Sequence, residues 1–216
     1  MKHRESVIEQ IVEVFGANGY PGDSFLQGSF EGCEPYEEVG SFKGKTDWRT
    51  LESEMLDARY CALSFFSEAA FRFFLPAYLI ADLRDELKTA DPLFHLTNGF
   101  YLTSITVRAQ THDFVRKTGG STFMNPRRYG AITFEDYARF RLSVFTSEES
   151  KVIVDYLNCR KEADLHGIYK STIEAALSAF WLDRSERAPA MESLEKHLRE
   201  ESDFIASLPG RVPDQP

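Results

Sequence analysis

The longest helical pattern in the chain runs from Ser67 to Leu87, with the sequence SEAAFRFFLPAYLIADLRDEL. Apolar residues recur at helical spacing on one side and also fill much of the other. Ser67 predicts an N-cap, because a serine hydroxyl accepts a hydrogen bond from a first-turn N–H, and Phe66 with Phe71 fits a hydrophobic staple. A helix that is apolar all round is buried in a core or a membrane, and this run is too short to span a bilayer. We therefore predict a central core helix.

Pro76 lies inside this pattern. Proline has no N–H to bond the carbonyl of Arg72, and its ring crowds that carbonyl. Two alternatives follow. Either the helix kinks at Pro76, or one helix ends near Leu75 and a second begins with Pro76 at its first position.

The N-terminal part predicts two further helices. The first ends at Gly16, and a later one is capped by Thr46 or Asp47. Their apolar stripes are Val7, Ile8, Ile11, Val12 and Phe15 in the first, and Trp48, Leu51, Met55, Ala58 and Ala62 in the second. Residues 17–46 between them predict a long acidic loop. Its aromatic side chains favour a loop that lies on the body: Tyr20, Phe25, Phe30, Tyr36 and Phe42.

The middle of the chain predicts few regular elements. Residues 90–92, Ala-Asp-Pro, indicate a turn, and residues 93–99 are predicted to be irregular. Alternating polarity over 101–108 predicts one short strand. Gly-Gly and Asn-Pro predict a loop over 116–128.

Capping boxes indicate two helices in the C-terminal half. Thr133 with Asp136 would open one, and Thr146 with Glu149 would open the other. Helical spacing over 169–183 predicts a third, marked by Tyr169, Ile173, Ala176, Leu177 and Phe180.

These elements predict a mainly α-helical, single-domain fold around the central proline-containing helix, with at most a minor β element. Residues 1–185 would form the body, including the acidic loop 17–46. Residues 186–208, separated by Pro189, would form an amphipathic helix packed on that body. Residues 209–216 are predicted to be a disordered tail.

The composition of the chain narrows the range of possible functions. The chain has 216 residues and a formal net charge of -9, which argues against non-specific nucleic-acid binding and fits a protein that meets a basic partner. The three cysteines (Cys33, Cys61 and Cys159) are scattered, which indicates neither a disulfide framework nor a zinc site. The N-terminus has no long apolar segment. We therefore expect a cytoplasmic protein without a membrane segment.

The sequence offers no catalytic motif. No two of the five histidines have the spacing of a helical metal pair, so no metal, cofactor or catalytic residue is predicted. His112 beside Asp113 would need a nucleophile brought by the fold, and we interpret it as locally hydrogen-bonded. An enzyme is therefore the less favoured class.

A basic, glycine-rich loop is the candidate ligand site. Arginine side chains and glycine N–H groups together can hold a phosphate or a carboxylate. The residues are Arg116, Lys117, Gly119, Gly120, Arg127 and Arg128. The other interpretation is an exposed loop whose charges keep it solvated.

An acidic group in the predicted loop is the candidate partner site. Glu34, Glu37 and Glu38 would face a basic protein. Nothing in the sequence fixes the several oxygen ligands that calcium needs. The other interpretation is a solvated acidic loop.

Three motifs resemble those of an uncharacterised, mostly bacterial protein family. They are Tyr20-Pro21-Gly22-Asp23, Phe42-Lys43-Gly44-Lys45 with Trp48, and the run Ala62 to Phe66 continuing into Phe71-Arg72-Phe73-Phe74-Leu75-Pro76-Ala77-Tyr78-Leu79. The interval from Gly44 to Trp48 is one residue longer than that family's pattern. The likeness covers residues 11–83 and, more loosely, 144–157. It implies no activity and no site residues.

Three hypotheses for function remain. The leading one is a non-catalytic cytoplasmic module that binds a basic protein, for example an inhibitor or immunity protein for a basic toxin. The second is an enzyme or small-anion binder that uses the loop 116–128. The third is a homodimer that buries surplus aromatic side chains, since the chain has 18 phenylalanines.

Overall fold

Helices account for most of the chain in the computed structural model, which describes residues 2–30, 32–100, 104–108, 113–117, 122–125 and 131–208. The helices before the strands are α1 (Lys2–Phe15), α2 (Glu34–Gly40), α3 (Ser53–Ala58), α4 (Ala62–Phe65), α5 (Glu68–Leu83) and α6 (Pro92–Thr97). Those after them are α7 (Phe134–Leu142), α8 (Ser147–Ala163), α9 (Lys170–Ala176), α10 (Leu182–Arg187) and α11 (Met191–Ser207). A π-helical turn, Leu177–Trp181, joins α9 to α10, and short 3-10 turns lie at Asp23–Phe25 and Trp48–Thr50.

The predicted central helix is α5. It continues through Pro76 from Glu68 to Leu83, so the alternative of two helices meeting at Pro76 is wrong. The Ser67 side chain accepts a hydrogen bond from the Ala70 N–H, as predicted for an N-cap. Most of α5 is buried on every side, because α1, α3, α6 and α11 all pack on it. The mainly α-helical, single-domain class is confirmed.

Aromatic rings fill the core on one side of α5. Phe42 meets Phe66 and Phe74 with ring centroids 4.8 and 4.9 Å apart, and Phe66 stacks on Phe74 at 5.1 Å. On another side, Trp181 is fully buried and donates its indole N–H to the Leu96 carbonyl at 2.8 Å. The abundant phenylalanines therefore supply much of the core.

The acidic segment 17–46 is less irregular than predicted, because it contains α2. Its first part is bonded to the start of α5. The Ser67 N–H donates to the Leu26 carbonyl at 2.8 Å, and the Ser67 hydroxyl donates to the Phe25 carbonyl at 2.6 Å. The prediction that this segment is one long loop is corrected, while the prediction that it lies on the body agrees with these bonds. The division at residue 185 stays a prediction.

Two local predictions are wrong. The single helix expected after Asp47 is three short pieces, because Leu51 and Glu52 are extended and the backbone leaves the helical conformation again at Arg59. Residues 93–99, expected to be irregular, contain most of α6. The Asp91 side chain accepts from the Phe94 N–H at 2.9 Å, and Pro92 lies at the start of the helix. Asp-Pro thus opens a helix instead of marking only a turn.

The β element consists of two short antiparallel pairs. Strand β1 (Ser104–Arg108) pairs with β2 (Asp113–Lys117), and β3 (Thr122–Asn125) pairs with β4 (Ala131–Thr133). The predicted strand corresponds to β1. The predicted loop 116–128 is corrected, since it includes the end of β2 and all of β3.

The last helix, α11, is anchored on α5 by a carboxylate. Glu201 is buried and accepts hydrogen bonds from the Glu68 and Ala69 N–H groups at 2.7 and 3.0 Å. Negative charge is favourable at a helix N-terminus, where N–H groups lack intrahelical partners. Leu194 and Ile205 are buried on the same helix. The predicted tail, 209–216, lies outside the described residues.

Candidate functional site

Two of the three predicted partner-binding glutamates are exposed on α2. Glu34 and Glu37 lie in the first turn of this helix, where their charge is favourable toward the helix N-terminus. Pro35 and Val39 are buried beneath them. Because these two apolar residues are four positions apart, they fix which side of α2 faces the body.

Glu38, the third predicted glutamate, has a structural role. Its carboxylate accepts a hydrogen bond from the Cys61 N–H at 3.2 Å, just before α4, and lies 4.0 Å from a guanidinium nitrogen of Arg59. Burial raises the pKa of Glu38, and the Cys61 N–H and the Arg59 charge oppose that rise. Glu38 therefore holds α2 against the start of α4, and its side chain is only 12% exposed.

Two tyrosines flank the exposed glutamates. Tyr36 on α2 is 57% exposed, and Tyr60, just before α4, is 48% exposed. The hydrogen bond from the Cys61 N–H to Glu38 brings the neighbouring Tyr60 against α2. The pKa of Tyr60 is raised by the adjacent Cys61 and also by the carboxylates of Glu34 and Glu38. Exposed Cys33 precedes the helix. We call this surface the α2–α4 face, and it comprises Cys33, Glu34, Tyr36, Glu37 and Tyr60.

Chemically, the α2–α4 face suits recognition. Tyrosines supply large, stiff contact area, and exposed carboxylates steer and select a partner of opposite charge. Cys61, the residue after Tyr60, is half-buried, and the pKa of its thiol is raised by burial and by Glu38 and Glu34. A raised pKa keeps a thiol protonated and so makes it a poor nucleophile.

The sequence prediction missed both tyrosines. Tyr36 was expected to pack on the body with the other aromatics of the segment, and it is exposed instead. Phe42 is fully buried and Tyr20 lies 5.4 Å from the Phe73 ring, as that expectation required. The spacing of Pro35 and Val39 was the available signal, because it turns Tyr36 outward.

The basic loop is only partly within the described residues. Arg116 and Lys117 lie at the end of β2, opposite Ile105 and Ser104 of β1. The other four predicted residues lie outside the described part: Gly119, Gly120, Arg127 and Arg128. The predicted anion site therefore stays a prediction.

Neither a metal site nor a membrane span is present in the part of the chain that the structure describes. Within those residues, no three or more His, Cys, Asp or Glu side chains are grouped as a metal would require. Among the helices of the same residues, none has the length and apolarity to cross a bilayer.

Comparison with known proteins identifies a family. No curated protein and no solved structure matches the chain. The model of one protein family matches residues 4–185, which span α1 through most of α10 and leave α11 outside. Because this match covers most of the chain, the protein belongs to the Family of unknown function (DUF6714).

Proposed function

We propose that this protein is a non-catalytic cytoplasmic module that binds a basic protein partner through the α2–α4 face. The observation that carries the proposal is the presence of two half-exposed tyrosines and two exposed glutamates on α2 and on the segment that the Cys61–Glu38 hydrogen bond holds against it. Tyrosine is enriched among residues that dominate binding energy, and carboxylates favour a partner rich in Lys and Arg.

Overall charge and the cysteines support the same proposal. A formal net charge of -9 attracts a basic partner at long range. The cysteines are free, which suits a reducing compartment such as the cytoplasm. One form of the proposal is an inhibitor or immunity protein for a basic toxin. That form takes the family to be mostly bacterial, as the resemblance implies.

A capture experiment tests the tyrosines. The purified full chain is immobilised and incubated with native lysate, and the retained proteins are identified by mass spectrometry. Wild type is compared with a Tyr36→Ala, Tyr60→Ala double variant and with Tyr169→Ala, which truncates an exposed tyrosine elsewhere. We expect one dominant basic protein, released by salt, on wild type and on Tyr169→Ala. Its retention by the double variant falls at least about tenfold.

Two results would overturn this proposal. One is that the double variant and Tyr169→Ala retain the partner equally. The other is that wild type retains no basic protein and sediments as a dimer that the double variant abolishes. In that case the face joins two copies of the chain, as the homodimer hypothesis expected.

A further inference from the structure

A cavity of about 130 Å³ lies where α4, α6 and α7 meet, and none of the residues of the α2–α4 face lines it. Polar side chains from all three helices line it: Ser64, His95, Asn98, Tyr137 and Arg141. Ser64 and Phe94 are exposed, so the cavity opens to solvent beside them. The volume far exceeds the roughly 10–15 Å³ that one water needs, so several heavy atoms fit inside.

Arg141 brings a fixed positive charge to the cavity wall. The residue is only 8% exposed, and its guanidinium carbon lies 4.7 Å from the centre of the Phe71 ring. It donates to the Tyr137 hydroxyl at 3.0 Å and to the backbone oxygens of Leu63 and Ser64. A guanidinium stays protonated at any physiological pH, and these contacts hold it in one position.

The His95 imidazole also lines the cavity, and it is uncharged. Burial, and then the charge of Arg141, lowers the pKa of His95 to about 3. Its imidazole is therefore uncharged at neutral pH and carries one N–H donor. The Phe71 ring, 6.3 Å away between centroids, packs edge-on against it.

The lining is built from groups that can donate hydrogen bonds to an anion. Asn98 has an amide NH₂, and Ser64 and Tyr137 have hydroxyls. Among the described residues that line this cavity, none is Asp or Glu. The Arg141 charge in the cavity wall would attract an anion and repel a cation.

We propose that this cavity binds a small oxyanion, either inorganic phosphate or the carboxylate of a small organic acid, with Arg141 as its charged partner. Ser64, His95, Asn98 and Tyr137 provide the neutral hydrogen bonds. None of the residues named here belongs to the α2–α4 face or to the predicted anion site in the basic loop 116–128. Either the protein-binding proposal or this one can fail without the other.

Isothermal titration calorimetry on the full chain tests the charged partner. Sodium phosphate and sodium acetate are titrated separately in a buffer free of both, and the tighter ligand identifies the kind of oxyanion. We expect wild type to bind at least one of them, and Arg141→Gln to weaken binding at least about tenfold, since charged hydrogen bonds are the strong ones. Arg139→Gln is the matched control. It removes the same charge from the same helix, at a side chain that is 43% exposed and paired with Glu135.

A second variant keeps the test valid if Arg141→Gln does not fold. Tyr137→Phe removes one hydroxyl and keeps the ring, so we expect a severalfold weaker affinity with little loss of stability. In NMR spectra, the His95 ring resonances should shift on titration in wild type and in Arg139→Gln. The proposal is overturned if neither anion binds wild type at millimolar concentration. It is also overturned if affinity is the same in all folded variants.

Discussion

At the residue scale, Gly28 permits the acidic segment to lie on the start of α5. Its N–H donates to the Phe65 carbonyl at 2.7 Å. A Cβ at this position would lie 2.6 Å from the Phe66 carbonyl oxygen and 2.8 Å from the Ser67 Cα. Both are backbone atoms, which cannot move aside as the end of a flexible side chain would. Any side chain here must therefore push the two segments apart.

We predict that Gly28→Ala lowers the free energy of unfolding by about 1–3 kcal/mol, the usual cost of inserting a group into a packed site. Gly40→Ala is the control, because a Cβ added there, at the end of α2, would have no neighbouring atom within 4 Å. It should change stability by no more than about 0.5 kcal/mol. Urea denaturation followed by circular dichroism measures both. Equal stabilities would show that the close contact at Gly28 does not exist in solution.

The Asp57 carboxylate stabilises the turn at residues 88–90. One of its oxygens accepts from the N–H groups of Lys88, Thr89 and Ala90, at 2.9, 2.7 and 3.0 Å. Burial by itself would raise the pKa of Asp57, but the three N–H donors outweigh burial and lower it below its ordinary 3.8. Hydrogen bonds to the charged form favour that form.

The lowered pKa predicts how stability depends on pH. Because the folded pKa lies below the unfolded one, ionised Asp57 stabilises the fold above the unfolded pKa, and this contribution is lost as pH falls through the folded pKa. Asp57→Asn should therefore cost about 1 kcal/mol at pH 7 and progressively less below pH 4. Glu54→Gln, at an exposed position on the same helix, should show no such dependence. A stability difference that stays constant from pH 7 to pH 2 would contradict the assignment.

At the element scale, helices that carry their own caps were predictable from the sequence. Ser67 caps α5 as expected. Thr146 and Glu149 form the complete capping box of α8, with the Thr146 side chain accepting from the Glu149 N–H and the Glu149 carboxylate accepting from the Thr146 N–H. These signals are local, because the cap and its partner lie within one helical turn. Glu149 also pairs with Arg72 of α5, at 3.0 Å, which the sequence did not indicate.

Elements defined by distant contacts were not predictable. The stripe from Trp48 to Ala62 has helical spacing, but Ala58 on it is exposed, while Leu56 off it is buried. The break between α3 and α4 is stabilised by a residue of another helix, because the Tyr78 hydroxyl of α5 donates to the Arg59 carbonyl at 3.2 Å. Spacing along one segment cannot reveal a bond from another element.

The contact between α11 and α5 gives a prediction at this scale. Glu201→Gln keeps the shape of the side chain but removes the charge at the N-terminus of α5, so we expect a loss of about 1–2 kcal/mol. Glu195→Gln is the control, on an exposed position of the same helix. Thermal and chemical denaturation compare the two variants. If both are as stable as wild type, the carboxylate does not anchor α11.

At the scale of the whole molecule, the candidate face was only half visible in the sequence. The sequence pointed to Glu34 and Glu37, because charged residues can be identified without knowing the fold. The exposure of each side chain cannot be read from the sequence. Glu38 turned inward to bind the start of α4, while Tyr36 and Tyr60 turned outward, and each outcome depends on how α2 packs.

The central claim is that exposed carboxylates of the α2–α4 face select a basic partner. The most direct measurement is the affinity for the captured partner of a Glu34→Lys, Glu37→Lys variant. A Glu174→Lys, Glu195→Lys variant, with the same change of net charge on other exposed glutamates, is the control. The account predicts at least about a tenfold loss for the first pair, a weaker dependence on salt, and little change for the second. Equal losses for the two pairs would show that only net charge matters and would contradict it.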